Sequence, residues 1–336
     1  MAIFRSRESA TTALAGARAT AGTSGTGFGT GELARLIEHL HFELIPTPKV
    51  ALQFAHLPPH STVSVTCSPA KDIEATLALS AELIDQGHRV IPHLAARMVE
   101  GPDHVAAISA WLREHDQTEV FVIGGDAPTP HGPYHDAAGF IAALLQFDTP
   151  LQSVGFGGYP DGHATIPSDQ LMSALLAKQQ LLDDAGVTGW VSTQMCFDTK
   201  AIVKWTKVTR AAGLHLPIHL GIPGVIDTTK LLTMGAKLGI GASLRYLRKN
   251  RAVVSKLAAP GGYDPMQLLT PLAPSFDALG IEALHVFTFN QVANTAAWRS
   301  AALGETVSSI AEIVPTASHL PTAPICEGSL QHGISI

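Results

Sequence analysis

Glu119-Val120-Phe121-Val122-Ile123-Gly124-Gly125-Asp126 reads as a strand and the loop that leaves it: an unbroken apolar run, then two glycines and a carboxylate. A run without polar alternation suits a parallel strand covered on both faces. Leu284-His285-Val286-Phe287 has the same character near the other end of the chain. Working outward from these, candidate strands lie at 42–46, 62–67, 89–94, 119–125, 153–158, 189–194, 217–222 and 283–289. Segments between them, such as 72–87 and 170–186, carry apolar residues at three-to-four spacing and stop at glycine, as helices do. Eight such units predict an α/β fold closed as an eight-stranded parallel (β/α)8 TIM barrel rather than an open sheet.

With 336 residues and 46% hydrophobic composition, the chain can bury the core of one such domain, expected over residues 33–314. Residues 1–32, rich in Ala, Thr, Gly and Ser, read as a disordered tail, with Gly25, Gly27, Gly29 and Gly31 as a flexible linker because no strand precedes them. Residues 315–336, rich in Pro, His and Gly, read as an irregular C-terminal tail. A net charge of -6 argues against a nucleic-acid partner, which normally needs a strongly basic surface. Cys67, Cys196 and Cys326 are odd in number and form no CxxC, so neither a disulfide framework nor a zinc knuckle is expected, and the compartment is read as the reducing cytoplasm. No apolar run approaches the roughly 18 residues of a membrane span.

Barrel chemistry is built at the carboxyl ends of the strands. Polar residues recur there: Glu43, Thr66, His93, Asp126, Tyr159 with His163, and Gln194. Each has a structural alternative. Glu43 can be bonded to backbone, Asp126 can be a turn residue ahead of Pro128, and Gln194 and Phe197 can pack against the next helix. The convergence of six positions on one rim is what favours function.

Phe42-Glu43-Leu44-Ile45-Pro46, Val65-Thr66, Pro92-His93-Leu94, Gly125-Asp126-Ala127-Pro128, Gly158-Tyr159-Pro160-Asp161-Gly162-His163, Thr193-Gln194-Met195-Cys196-Phe197-Asp198 and Gly221-Ile222 together resemble the ordered motif series of methylenetetrahydrofolate reductases. The resemblance runs from Phe42 to about Gln291. It implies reduction of 5,10-methylenetetrahydrofolate to 5-methyltetrahydrofolate, an oxidoreductase step of one-carbon metabolism that feeds methionine biosynthesis. It implies Glu43 as the general acid and Asp126 as the carboxylate facing the pterin. Gln194, Phe197, Lys230, Met234 and Phe289 become folate contacts, and Thr66, His93, Gly124, Gly125, Tyr159 and His163 become positions for a redox coenzyme. Lys230 and Met234 differ in type from the family's usual glutamine and aromatic residue, and Lys230 reads equally as a folate-carboxylate partner and as a solvated helix lysine.

The chemistry asks for such a set. A hydride does not efficiently attack the closed five-membered ring, so the exocyclic nitrogen must be protonated and expelled, leaving an iminium cation. A carboxyl in an apolar strand, between Phe42 and Leu44, is suited to carry that proton. Departures from the family concern the flavin. The arginine expected before Gly125 is Gly124, the lysine expected on the helix before the sixth strand is Asp183, the tyrosine of the last strand is Phe287, and the arginine after it is Gln291. Fewer cations for a diphosphate predict NADH, or NADPH, as direct hydride donor, with FAD not retained. The alternatives are a flavin-dependent reductase with ping-pong kinetics, a barrel that binds folate without turnover, and a metal-dependent hydrolase using some of the 16 histidines, among them His93, His163, His219 and His285. The last lacks HxH or HExxH spacing, and no metal site is expected. Oligomeric state is not legible.

Overall fold

The computed structural model describes residues 28–67, 71–226, 231 and 263–305. Eight strands, β1 (His41–Leu44), β2 (Thr62–Val65), β3 (Arg89–Ala95), β4 (Glu119–Ile123), β5 (Ser153–Gly158), β6 (Thr188–Thr193), β7 (Ile218–Pro223) and β8 (Ile281–Phe287), are each hydrogen-bonded to the next. All pairings are parallel, and β8 returns to β1 with His285 opposite His41 and Phe287 opposite Glu43. The sheet is therefore a closed barrel, as the strand count predicts.

Helices connect the strands across the outside. Among the described residues the α-helices are α1 (Phe28–Glu38), α2 (Ile73–Asp85), α3 (Pro102–Glu114), α4 (Ala137–Leu144), α5 (Ser168–Ala185), α6 (Thr199–Ala211), α7 (Met266–Leu272), α8 (Phe276–Leu279) and α9 (Val292–Ala302). Local chemistry sets their ends. Asp72, Asp136 and Asp198 accept the backbone N–H of Ala75, Gly139 and Lys200 at 2.8–2.9 Å and cap α2, α4 and α6. Gly186 closes α5 at φ 66°, in the left-handed region that glycine enters without penalty. The N-terminal reading needs correction: α1 begins at Phe28, so Gly29 and Gly31 belong to a helix and the tail ends before residue 32. The apolar face of α1, with Leu33, Leu36 and Ile37, packs in the same core as Phe42 and Leu44, which is what orders it. The rest of the two tails, with Lys230 and Met234, lies outside the described residues.

Alternation along each strand sorts side chains into two layers. Phe42 and Leu44, Val120 and Val122, Val154 and Phe156, and Leu284 and Val286 face the helices in two large apolar clusters. His41 and Glu43, Ile91 and His93, Phe121, Trp190, His219, and His285 and Phe287 therefore face the barrel interior, where Ile91, Phe121 and Trp190 form a small cluster of their own. Glycines fit this bulky filling: a Cβ on Gly155 would lie 2.3 Å from the Trp190 ring, and one on Gly221 would lie 2.0 Å from the backbone oxygen of Thr193.

A backbone oxygen cannot rotate aside as a side chain can. Gly221→Ala is expected to lower unfolding free energy by about 3 kcal/mol, the upper range of overpacking. Gly139→Ala, whose Cβ would come no closer than 3.6 Å to anything, should stay within about 1 kcal/mol of the parent. Urea unfolding of the two variants checks both values, and equal losses would contradict the packing argument.

Candidate active site

The carboxyl ends of all eight strands share one face because the barrel is wholly parallel. Glu43 is the third of the four residues of β1, beneath this face, and only 7% of it is exposed. Its Oε2 lies 3.0 Å from Nε2 of His285, itself 5% exposed. A contact of that length is a hydrogen bond in which one of the two partners carries the proton, and it gives the buried carboxyl a fixed partner inside the barrel. The Thr288 hydroxyl donates to the Glu43 carbonyl. Asn290 then clamps the neighbouring loop: its side-chain oxygen accepts from Ile45 N–H at 2.9 Å, and its NH2 donates to the Ile45 carbonyl at 2.9 Å and to the Thr47 hydroxyl at 3.1 Å.

The histidines beside this pair are neutral. Burial, reinforced by the nearby His285, lowers the His41 pKa to about 3 and holds His93 well below the ordinary imidazole range. Burial likewise depresses His219, with His41 and His285 adding to the effect. His93 stacks on His285 at a centroid separation of 6.2 Å and lies 4.6 Å from the Phe121 ring, and its Nε2 has no hydrogen-bond partner among the described residues. That orphaned nitrogen is a ready contact for a ligand or an ordered water.

Two further groups border the mouth. On one side, the loop after β4 carries Gly124, Gly125 and exposed Asp126. Arg97 shapes it: its N–H bonds the Gly124 carbonyl at 3.0 Å, and its guanidinium is committed to the carbonyls of Ala127 and Pro128 at 2.7 and 2.8 Å. Gly125 sits at φ 89° with its Cβ position 2.9 Å from Ala95, so glycine is required there. The charge of Asp126 reaches Tyr159, whose phenol is pushed up first by burial and then by that carboxylate, and which therefore remains a neutral hydrogen-bonding group. Tyr159 in turn meets exposed His163 edge-on at 5.2 Å.

On the other side, Met195, Phe197, Ile226, Leu231, Tyr263, Phe287 and Phe289 form an apolar cluster over the ends of β6, β7 and β8. Phe197 packs edge-on against Tyr263 at 5.3 Å. Gln194, at the head of this group, donates its backbone N–H to Gly158 at 2.7 Å, while its side-chain oxygen accepts from Met195 N–H at 2.8 Å. The carboxamide is thus oriented by its own backbone.

Several sequence expectations change. Phe289 is not in a strand: β8 stops at Phe287, and Phe289 and Asn290 follow at φ 49° and 57°. Asp183, near the end of α5 that leads into β6, lies toward the amino-terminal face and is 3.3 Å from His215, so its charge does not oppose a ligand at the mouth. The backbone of Thr66 fixes the loop after β2, its N–H donating to the Leu44 carbonyl and its carbonyl accepting from the Thr76 hydroxyl, and its expected place beside a coenzyme is unaffected by these bonds. In the sequence His285 is only a strand histidine and a candidate metal ligand; its partnership with Glu43 follows from the closure of β8 on β1. Among the described residues no group of three or more His, Cys, Asp or Glu is arranged to hold a metal ion, and no helix is long and apolar enough to cross a membrane.

Fold and site together define a (β/α)8 barrel with a buried acid at its carboxyl-terminal mouth. The chain is similar in part to two yeast proteins. It is 32% identical over 77 residues to methylenetetrahydrofolate reductase 2 of Saccharomyces cerevisiae, covering 23% of this chain and 12% of that protein. It is 24% identical over 138 residues to methylenetetrahydrofolate reductase 1 of Schizosaccharomyces pombe, covering 41% of this chain and 22% of that one. The matches thus span under a quarter of these relatives' length. A Burkholderia cenocepacia J2315 crystal structure described as a lyase/mutase aligns over 82% of this chain and 86% of its own at 18% identity and TM-score 0.40, too distant to bear on function. No protein-family model matches.

The depressed histidines make stability pH-dependent. Their folded values lie below the ordinary 6.5, so their contribution is complete above that pH and is lost as pH falls toward the folded value, about 3 for His41. Denaturant unfolding should show stability falling below pH 6.5, with about 1.4 kcal/mol per pH unit from each such histidine. His41→Gln should make that slope shallower by one histidine's share; an unchanged slope would mean that His41 is protonated in the folded protein.

Proposed function

We propose that the protein reduces 5,10-methylenetetrahydrofolate to 5-methyltetrahydrofolate, taking hydride directly from NADH or NADPH. The observation that carries this reading is the buried Glu43–His285 pair beneath a mouth whose opposite rim bears Asp126. The partial likeness to yeast methylenetetrahydrofolate reductases supports it. In this reading the Glu43 carboxyl gives its proton to the exocyclic folate nitrogen, and the bond from that nitrogen to the methylene carbon breaks. The electron pair of the ring nitrogen forms the iminium, and Asp126 stabilises the cation. Hydride from the nicotinamide then adds to the methylene carbon, leaving the methyl product and the oxidised coenzyme, and His285 holds the carboxylate until solvent restores the proton.

Gln194 answers the pterin's amide edge with a carboxamide already oriented by Met195. Phe197 and Phe289 supply the apolar wall, and the open nitrogen of His93 is available to the coenzyme side. Lys230 and Met234 keep their proposed role as folate contacts, Lys230 toward the folate carboxylates. Direct transfer is favoured over a flavin shuttle because Gly124 and Gln291 stand where a flavin diphosphate would want cations, and the Arg97 guanidinium is already committed to two carbonyls. Asp183, away from the mouth, contributes nothing to that argument.

Glu43→Gln should lower kcat about 10²–10⁴-fold, the usual worth of a general acid, with Asp126→Asn lowering it less. Coenzyme oxidation on methylenetetrahydrofolate, run with both substrates varied, should give intersecting lines from a ternary complex and a colourless purified protein. Ping-pong kinetics with a flavin spectrum would overturn direct transfer, and full activity in Glu43→Gln would remove the acid assignment.

A further inference from the structure

Lys178 stands midway along α5, the helix that packs against α4 and β5. Only 9% of it is exposed, and its ammonium lies 4.9 Å from the centre of the Phe156 ring, which is fully buried in the apolar cluster with Phe140, Leu144, Leu175 and Leu182. A buried ammonium is ordinarily matched by a carboxylate or by several carbonyls. Lys178 has neither: among the described residues it makes no ion pair and no hydrogen bond, and the ring is its contact. Positions three and four away on α5 hold Ala174, Leu175, Leu181 and Leu182, and neither α4 nor β5 carries a charged residue. The carboxylate that acts on the amine is Asp136, whose side chain is already engaged in capping α4 through Gly139 N–H.

The stem is buried, but the nitrogen is not sealed. Among the described residues, the occluded side-chain atoms without a partner belong to His88, His93, His104, Thr206 and His219. The Lys178 nitrogen is not one of them, so it reaches water through a small opening at the end of its apolar stem. Burial outweighs both the ring and Asp136, and the pKa is lowered to about 8. At pH 7.5 an amine of that pKa is about one-quarter neutral, against about one part in a thousand for an ordinary lysine.

We propose that Lys178 is a site of covalent acylation, taking a small activated acyl group such as an acetyl carried on a thioester or on phosphate. The Nζ lone pair attacks the carbonyl carbon, and the C–N bond forms as the C–S or C–O bond breaks. The nitrogen loses one proton, which the departing thiolate or phosphate takes up. The product is a neutral amide, so the reaction removes the charge that burial penalises. Other amine chemistry fits the place less well. A carbamate from carbon dioxide would set an anion against the face of Phe156, and methylation or a protonated Schiff base would leave a cation still without a carboxylate. A small opening in a close-packed helix layer also favours a two-carbon acyl group over a long one. The site lies on the outside of the barrel, and its chemistry is independent of the folate reading.

Folded wild-type protein incubated at pH 7.5 with acetyl phosphate, and separately with acetyl-coenzyme A, tests this, with occupancy at each lysine followed by peptide mass spectrometry. Lys178 should be labelled about tenfold faster than exposed Lys200, Lys204 and Lys207 by at least one donor, the gain in neutral amine being partly lost to restricted access. Labelling by both donors marks the acyl group as the determinant, and labelling by acetyl phosphate alone limits the donor to one small enough for the opening. The Lys178 rate should level off above a pH of about 8, and Lys178→Arg should abolish the fast-labelled peptide. Labelling of Lys178 no faster than of the three surface lysines, or only once urea has unfolded the chain, would overturn the proposal.

Discussion

The barrel depends on the seam where β8 closes against β1. Until that pairing forms, Glu43 is one carboxylate on a four-residue strand and His285 is a histidine 242 residues away in sequence. Closure sets His41 opposite His285 and Glu43 opposite Phe287, and period-two alternation then turns the carboxyl and the imidazole into the same interior. Register is critical because a slip of one residue would exchange the interior set for Phe42, Leu44, Leu284 and Val286, which belong to the helix-facing core. Burying a carboxyl is costly without a partner, and the seam provides one at 3.0 Å.

An interior filled with imidazoles is an unusual substitute for branched aliphatic layers. His41, His93, His219 and His285 pack with Phe121 and Trp190 through ring contacts of 4.6–6.4 Å. Neutral imidazole works here because it combines an aromatic face for packing with two nitrogens for hydrogen bonding. The arrangement holds only while the rings stay uncharged, and burial enforces this for His41, His93 and His219. The same property that fills the barrel therefore surrounds Glu43 with groups that neither donate a formal charge nor expose it to bulk water.

Much of this was legible from sequence and some was not, for identifiable reasons. Strand positions were readable because buried parallel strands are short apolar runs between glycine-ended helices, and eight of them leave few topologies. Their boundaries were less so: the apolar Phe289 looks like a continuation of Phe287, and only the backbone turn at the two positive φ values ends the strand. The rim residues were readable from their place after strands. Their partners were not, because Glu43 with His285, Ile45 with Asn290 and Arg97 with Ala127 are long-range pairs that no local period encodes.

The turn after β8 shows what the site asks of its scaffold. Two consecutive non-glycine residues in the left-handed region carry a cost of about 1 kcal/mol or more each, less for asparagine than for phenylalanine. Here the cost is offset on both residues. Asn290 makes three side-chain hydrogen bonds to the loop after β1, and Phe289 is buried against the cluster that includes Phe197 and Tyr263. A relaxed extension of β8 would release both sets of contacts at once. The strained turn is thus held by the two features the candidate site needs, a fixed β1 loop above Glu43 and an apolar wall beside Gln194. The same contacts that offset the backbone cost therefore fix where the last strand ends, and the turn persists because both neighbours over-determine it.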